Sequence, residues 1–186
     1  MKLIRTRFKC VVTAFWLSLV FYAPVAAQTV STQDLLDQLR GDDLPNWEQV
    51  EQEIWQRWSA SGSPSADLLL ERGRDAMAAD DWAAAIDHLT ALVDHAPDFA
   101  EGYNARATAY YNAGLYGPAM ADIEVTLGLN PDHFGALMGL GMILEELGYA
   151  QEALTAYRAM AAIHPHRPNL QDALGRLERQ LGETTL

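Results

Sequence analysis

The sequence has a single cysteine, Cys10, and only two lysines, Lys2 and Lys9, and all three lie near its N-terminus. The rest of the chain therefore offers no thiol for a disulfide or for nucleophilic attack. It also offers no lysine amine for a Schiff base or for a phosphate-binding loop. We accordingly predict no catalytic residues, and a chain that is held together by packing alone.

Positive charge is also scarce. From residue 28 onward, nine arginines oppose 25 acidic residues, which gives a formal net charge of −16. Such a charge disfavours binding to nucleic acid and to anionic lipid surfaces, because both attract basic patches. It favours a protein partner with a basic or apolar segment, although an acidic surface that serves only solubility is the alternative.

The N-terminal segment, residues 1–27, has the pattern of a secretory signal. Four cations precede an apolar run from Val11 to Ala23, and a Val25-Ala26-Ala27 cleavage site follows. This apolar run is shorter than the ~20 residues that a membrane-spanning helix needs. We expect residues 1–27 to be a signal peptide that is removed, leaving a periplasmic or secreted protein without stable membrane insertion. An uncleaved membrane anchor is the alternative.

Proline recurs at a constant interval in the middle of the chain, at Pro97, Pro131 and Pro165. The resulting 34-residue period is typical of stacked helical hairpins, and the predicted units are residues 66–99, 100–133 and 134–167. Each unit has small residues where its two helices must approach closely: Gly73, Ala107 and Gly141 in the first helix, and Ala85, Ala119 and Ala153 in the second. The turns fall at Asp80, Gly114 and Gly148, residue types that tolerate a positive φ.

These positions resemble the tetratricopeptide repeat (TPR) family, including small exported bacterial TPR proteins. The resemblance implies an all-α, right-handed α-solenoid of three helical hairpins. Residues 28–65 then form an N-terminal helical segment and linker, and residues 168–186 form a C-terminal capping helix. Arg72 and Arg106 stand where the family usually has leucine, and we expect them to pair with nearby carboxylates.

A tryptophan-rich helix is predicted before the repeats, capped by Asn46 with Gln49 as its reciprocal partner. Its apolar side chains fall at helical spacing on one face: Trp47, Val50, Ile54, Trp55 and Trp58. We expect this face to dock on the first repeat and to cover its open end. Alternatively, the helix detaches to bind a partner, or it covers the groove of its own array.

In the TPR family, the first helix of each hairpin lines a concave groove that binds a peptide or a helix. The resemblance implies that the groove residues are Arg74, Glu101, Asn104, Thr108, Tyr111, Asn112, Met138, Met142 and Glu145. Asn104 and Asn112 can pair with a peptide backbone. The two methionines offer flexible apolar surface, unless they pack against a neighbouring helix. The lysine, arginine and asparagine clamp with which some relatives hold a terminal carboxylate is missing, because Arg74 is its only candidate cation.

The histidines lack the spacing of metal ligands. His88 and His95 lie seven positions apart, and His164 and His166 flank Pro165, so neither pair has the i, i+4 spacing of a helical zinc site. We predict no metal and no other cofactor, and we expect surface or helix-capping roles for the histidines.

Together these observations predict a non-catalytic scaffold or adaptor for protein–protein interaction, with no nucleic acid partner. The alternative is a structural subunit of a bacterial envelope assembly complex, serving cytochrome maturation or outer-membrane protein insertion. Such a subunit would contact its partners through the tryptophan helix or the outer face of the array. A small hydrolase or a metal carrier is the least favoured interpretation.

Overall fold

The computed structural model describes residues 30–184, so the predicted signal peptide lies outside the described residues. Within this range the chain forms α-helices and no strand. The helices are α1 (Thr32–Leu39), α2 (Trp47–Trp58), α3 (Pro64–Ala78), α4 (Trp82–His95), α5 (Ala100–Asn112), α6 (Tyr116–Leu129), α7 (Phe134–Glu146), α8 (Ala150–Ala161) and α9 (Pro168–Thr184). None of the helices in residues 30–184 has the length and apolarity to span a bilayer.

Helices α3 to α8 form three consecutive hairpins, as the 34-residue period predicts. The residue that turns the chain between the two helices of each hairpin has a positive φ, 56° at Asp80, 75° at Gly114 and 80° at Gly148. The first helix of the first hairpin begins at Pro64, slightly before the predicted start of the repeat. The helical hairpins and their turns are therefore confirmed.

Small residues set the distance between the two helices of a hairpin. A Cβ added to Gly141 would lie 2.3 Å from the ring of Tyr157, and one added to Gly73 would lie 2.5 Å from Cγ of Leu89. The alanines that face them from the second helices, Ala85, Ala119 and Ala153, are fully buried. In the first and third hairpins, a glycine on the first helix therefore makes room for a large side chain on the second helix.

The N-terminal helices pack against the third repeat, so the prediction that the tryptophan helix covers the first repeat is wrong. The ring of Trp55 lies over Gly135, where an added Cβ would be 2.5 Å from its Cη2 atom. Trp58 stacks on His133 with ring centroids 4.6 Å apart. The apolar residues of α1 and α2 share one core cluster with α7, α8 and α9, including Leu39, Ile54, Phe134, Met160 and Leu170. Gly135 leaves the space that the indole occupies.

The starts of α1 and α2 differ from the predicted cap. Asn46 precedes α2, but its side chain makes no capping hydrogen bond, which corrects the predicted Asn46–Gln49 box. A capping box forms instead at α1, where Ser31 accepts from the backbone N–H of Asp34 and Asp34 accepts from that of Ser31. The start of α2 is therefore fixed by its packing and not by a local cap.

At the other end, α9 packs against α8 and closes the array. Leu170 and Leu177 are almost completely buried, while Gln171, Arg176 and Glu178 on the opposite face are exposed. An apolar inner face and a polar outer face are what the end of a repeat array requires. Helix α9 also contributes residues to the concave side of the array, where the candidate binding site lies.

Candidate protein-binding groove

Helices α5 and α7 lie beside each other on the concave side and form two adjoining pockets. The inner pocket has a volume of about 260 Å³, and the residues around it include Asn104, Thr108, Tyr111, Asn112, Met138 and Met142. The outer pocket has a volume of about 470 Å³, and its lining adds Glu145, Glu146, Asn169 and Arg176. Tyr111, Met138 and Met142 line both pockets, so we treat the two as one groove.

The shared wall of the groove is aromatic and thioether surface. Tyr111 packs on Tyr116, with ring centroids 5.7 Å apart. Met138 is half-buried against the core, whereas Met142 is 38% exposed. Met138 therefore combines packing against the core with lining of both pockets, whereas Met142 is the more exposed of the two. Burial and then the nearby Glu146 raise the pKa of Tyr111, so its hydroxyl stays protonated and can donate a hydrogen bond.

The acidic end of the groove contains two carboxylates, one in an ion pair and one that is available to a ligand. Glu145 accepts from Nη2 of Arg176 at 2.6 Å and from the hydroxyl of Tyr157 at 3.0 Å. Burial, followed by that hydrogen bond to Glu145, raises the pKa of Tyr157. Glu146 is exposed, and within residues 30–184 no cation lies at ion-pair distance from it. The net charge at this end is therefore negative, with Glu146 as the available anion.

The sequence comparisons agree with this geometry. A family model described as tetratricopeptide repeat matches residues 70–127 and 119–168, which together span more than half of the chain. The chain belongs to the tetratricopeptide repeat family. A TPR repeat-containing protein of Rhizobium etli is 34% identical over 156 residues, which cover 81% of this chain and 76% of that protein.

Solved structures of TPR domains have the same fold. The first TPR of Spaghetti, bound to an HSP90 peptide, superposes with a TM-score of 0.62 at 23% identity and covers 64% of this chain and 98% of that one. The Sgt2 TPR domain from Aspergillus fumigatus also gives a TM-score of 0.62, at 25% identity, and covers 66% of this chain and 83% of that one. The first of these similarities shows the fold alone.

The first two groove residues predicted in this TPR array, Arg74 and Glu101, bind each other. Nη2 of Arg74 donates to Oε1 of Glu101 at 2.6 Å, while Nδ2 of Asn104 and Nε2 of His133 both lie 3.1 Å from its Oε2. Glu101 is only 4% exposed. This corrects the prediction for Glu101, which serves as an internal carboxylate for Arg74 and Asn104 and does not face a ligand. Arg74 itself is 41% exposed, so its role in the groove stays a prediction.

The remaining polar residues of the groove are exposed, with part of their hydrogen-bonding capacity used locally. Thr108 donates to the carbonyl oxygen of Asn104 at 3.0 Å, and Nδ2 of Asn112 donates to the carbonyl oxygen of Thr108 at 2.8 Å. An amide side chain has two N–H donors and a carbonyl acceptor. Asn112 therefore keeps one donor and its acceptor for a peptide backbone.

Sequence reasoning missed Arg176, the cation that α9 brings to the groove. Its position follows from the packing of α9 on α8. The repeat pattern does not predict this packing, and therefore does not predict which residues of α9 reach the groove. The pattern also failed to place Asn169, which joins the same pocket from the start of α9. The amphipathic pattern of α9 indicated only that Arg176 lies on the polar face.

Two histidines are buried, and only His133 has one of the expected roles, which were surface positions or helix caps. His133 caps α7, since its Nδ1 accepts from the backbone N–H of Ala136 at 3.1 Å. His164 is fully buried and its Nε2 lies 3.1 Å from Oε2 of Glu51, so it is neither a surface residue nor a cap. Within the described part of the chain, no group of three or more histidine, cysteine and acidic residues is placed to hold a metal ion.

Proposed function

We propose that this TPR protein is a non-catalytic scaffold or adaptor that binds a segment of another protein in its concave groove. The observation that carries the proposal is the continuity of the two pockets through Tyr111, Met138 and Met142. A segment that crosses this wall touches an apolar surface on one side and the carboxylate of Glu146 on the other. The structure of Spaghetti with an HSP90 peptide supports a peptide as the kind of ligand.

The chemistry of the groove supports a basic and apolar segment. The inner pocket takes an apolar side chain beside Met138 and Ile123, while a lysine or arginine of the ligand can pair with Glu146. Such a ligand suits the net charge of −16 from residue 28 onward. We place this function in the periplasm or outside the cell, in keeping with the predicted signal peptide, and we assign it no cofactor.

The packing of α2 weakens the alternative of an envelope assembly subunit that contacts its partner through the tryptophan helix. The rings of Trp55 and Trp58 contact Phe134 at centroid distances of 5.2 Å and 4.9 Å. These rings are partly buried in this contact, so α2 would have to detach from the third repeat before its apolar face could bind another protein. The groove requires no such rearrangement and is the better supported site.

Selection of peptides from a random display library on the purified protein tests this function. We expect binders that combine apolar with basic residues, and titration calorimetry should give at least a tenfold weaker affinity for the Met142→Glu variant. Leu68→Glu is the matched control, because Leu68 is 45% exposed and Met142 is 38% exposed, and only Met142 lines the groove. If the selected peptides bind the Met142→Glu variant as tightly as the Leu68→Glu variant, the groove is not their binding site.

A further inference from the structure

Helix α9 brings a single cation to the outer pocket of the groove. Asn169, Ala173 and Arg176 are spaced by four and by three residues, so they lie on one face of this helix, and all three line the pocket. Arg176 is the only cation among the described residues that line the two pockets of the groove. The last turn of α7 contributes two carboxylates, Glu145 and Glu146, to the same lining. Two carboxylates and one guanidinium give this end a formal charge of −1.

Both oxygens of the Glu145 carboxylate already have a partner. Nη2 of Arg176 donates to Oε1 at 2.6 Å, and the hydroxyl of Tyr157 donates to Oε2 at 3.0 Å. Tyr157 is buried in the core, whereas the side chain of Arg176 is 53% exposed. Arg176 is therefore the partner that can be removed without disturbing the core. Its removal would leave Glu145 with one hydrogen bond and with a free oxygen in the lining of the pocket.

The Arg176–Glu145 pair is not needed to hold α9 in place. Leu170, Ala173 and Leu177 of α9 are buried in the core cluster that α9 shares with α7 and α8. These apolar contacts fix the helix, and an exposed ion pair adds little to stability. A variant without the guanidinium should therefore keep the fold.

Arg106 of the second repeat shows how this protein uses an arginine structurally. Its Nε and Nη2 atoms donate to the carboxylate of Asp122 at 2.7 and 2.8 Å, and its Nη1 atom donates to Thr90 at 3.3 Å. All three nitrogens are engaged, the pair is largely buried, and the carboxylate pairing expected from the sequence is confirmed. Arg176, in contrast, makes one hydrogen bond within residues 30–184. The difference indicates that Arg176 acts on the charge of the pocket and not on the fold.

The charge of the pocket limits which basic segment the groove can hold. A first lysine or arginine of the ligand can pair with Glu146, which is exposed. A second basic side chain lacks such a partner because Glu145 is bound to Arg176, and it meets the guanidinium as a like charge. The hydrogen bond with Glu145 raises the pKa of Arg176, so this residue keeps its positive charge. Specificity of this kind combines an attractive group with a repulsive one.

We propose that Arg176 is a specificity-determining residue of the groove, which accepts a segment with one basic residue at its outer end and disfavours a segment with two. This inference rests on the proposed function and refines it, since it concerns the ligand of the same groove. Arg176 acts in two ways: it occupies Glu145, and it repels a second cation. Without Arg176, the outer end would offer two carboxylates to the ligand where it now offers one.

The variant Arg176→Gln tests the proposal, because it removes the guanidinium and frees one oxygen of Glu145. The probes are fluorescein-labelled 12-residue peptides with leucines in one half. The other half contains either one lysine beside a glutamine or two adjacent lysines. Fluorescence anisotropy at about 150 mM salt gives the ratio of the two affinities for each protein. The unaltered protein should gain less than about twofold from the second lysine, whereas in Arg176→Gln the ratio should shift about tenfold towards the dilysine peptide.

Arg158→Gln is the matched control. Arg158 is 59% exposed and pairs with Glu178 of α9 at 2.8 Å, but it does not line the groove. Its loss changes the net charge by the same amount, so a general effect of charge would shift the ratio equally in both variants. We expect a shift of less than about twofold for Arg158→Gln. Arg176→Lys keeps the charge and should retain most of the discrimination, and urea unfolding should give the same midpoint for Arg176→Gln as for Arg158→Gln.

The results that overturn this proposal differ from those that overturn the groove. A ratio that stays unchanged in Arg176→Gln, or that shifts equally in Arg158→Gln, overturns the role of Arg176, while binding of the single-lysine peptide still supports the groove. Weaker binding of both peptides to Arg176→Gln by one common factor gives Arg176 a structural role and also overturns the proposal. If neither peptide binds the unaltered protein more tightly than it binds Met142→Glu, the groove function fails and the role of Arg176 fails with it.

Discussion

Glu51 joins α2 to the third repeat, and the structure predicts how its ionisation affects stability. Its carboxylate accepts from Nε1 of Trp55 at 3.0 Å, lies 3.1 Å from Nε2 of His164, and is paired with the guanidinium of Arg167. Burial alone raises the pKa of Glu51. The hydrogen bonds of His164, Arg167 and Trp55 together outweigh burial and lower the pKa from 4.5 to about 2.

The lowered pKa corresponds to a stabilisation of about 3 kcal/mol, at about 1.4 kcal/mol per pKa unit. Because the pKa of Glu51 is higher in the unfolded chain, acidification protonates the unfolded state first. The contribution is thus fully present above a pH of about 4.5, and it is lost as the pH falls towards 2. At neutral pH, removal of the charge also leaves Arg167 without its carboxylate.

The variant Glu51→Gln tests this reasoning. We expect its free energy of unfolding at pH 7 to be lower than that of the unaltered protein by about 3 kcal/mol. The difference should narrow steadily between pH 4.5 and pH 3. Urea unfolding followed by tryptophan fluorescence measures both quantities, because Trp47, Trp55 and Trp58 belong to α2.

Glu53→Gln is the matched control, two positions further along the same helix. Glu53 is exposed and pairs with Arg57 on its own helix, so its loss should cost about 0.5 kcal/mol. A stability gap between Glu51→Gln and the unaltered protein that stays constant from pH 7 to pH 3 would refute the assignment of the low pKa to Glu51.

Two further substitutions and one control test the close contacts of α7. Gly141→Ala places a Cβ 2.3 Å from the ring of Tyr157 and should lower the free energy of unfolding by about 1–3 kcal/mol. Gly139→Ala, on the same helix, has its nearest contact at 3.5 Å and should be neutral or slightly stabilising; equal losses in urea unfolding would contradict the packing argument. Gly135→Ala places a Cβ 2.5 Å from Trp55, so acrylamide quenching of tryptophan fluorescence should increase while the helical circular dichroism persists. Unchanged quenching would show that α2 does not depend on this contact.

The hairpins could be predicted from the sequence because their defining contacts are local and recur with the period. Gly141 and Tyr157 belong to one repeat, and the residues that stand for them in the first repeat, Gly73 and Leu89, make the same exchange of volume. The positive φ of Asp80 followed from its alignment with Gly114 and Gly148. Each of these predictions needed only contacts within one repeat and the alignment of the three repeats with one another.

The position of α2 could not be predicted because the residues that fix it are distant in sequence and outside the repeat. Glu51 and His164 are 113 positions apart, and Arg40 and Asp132 are 92 apart. The spacing of the tryptophans indicated that one face of α2 is buried, but not against which repeat. The same limit applies to the groove, where the repeat pattern placed Glu101 on the concave face. It did not show that Trp58 of α2 packs on His133, which contacts Glu101.

The distribution of charge sets the second repeat apart from its neighbours. Within residues 100–130 the acidic residues are Glu101, Asp122 and Glu124, and Glu101 and Asp122 are buried in ion pairs. Only Glu124 remains exposed in this segment.

The second repeat thus presents asparagine, threonine and tyrosine on its concave side and aliphatic residues on its outer side, between flanking regions that are strongly acidic. Like charges keep copies of the protein apart, while the second repeat can desolvate against a partner at little electrostatic cost. If the acidic residues served solubility alone, there would be no physical reason for the concave side of this repeat to lack an exposed one. Replacing exposed groove residues by glutamate should then leave solubility unchanged and weaken only binding.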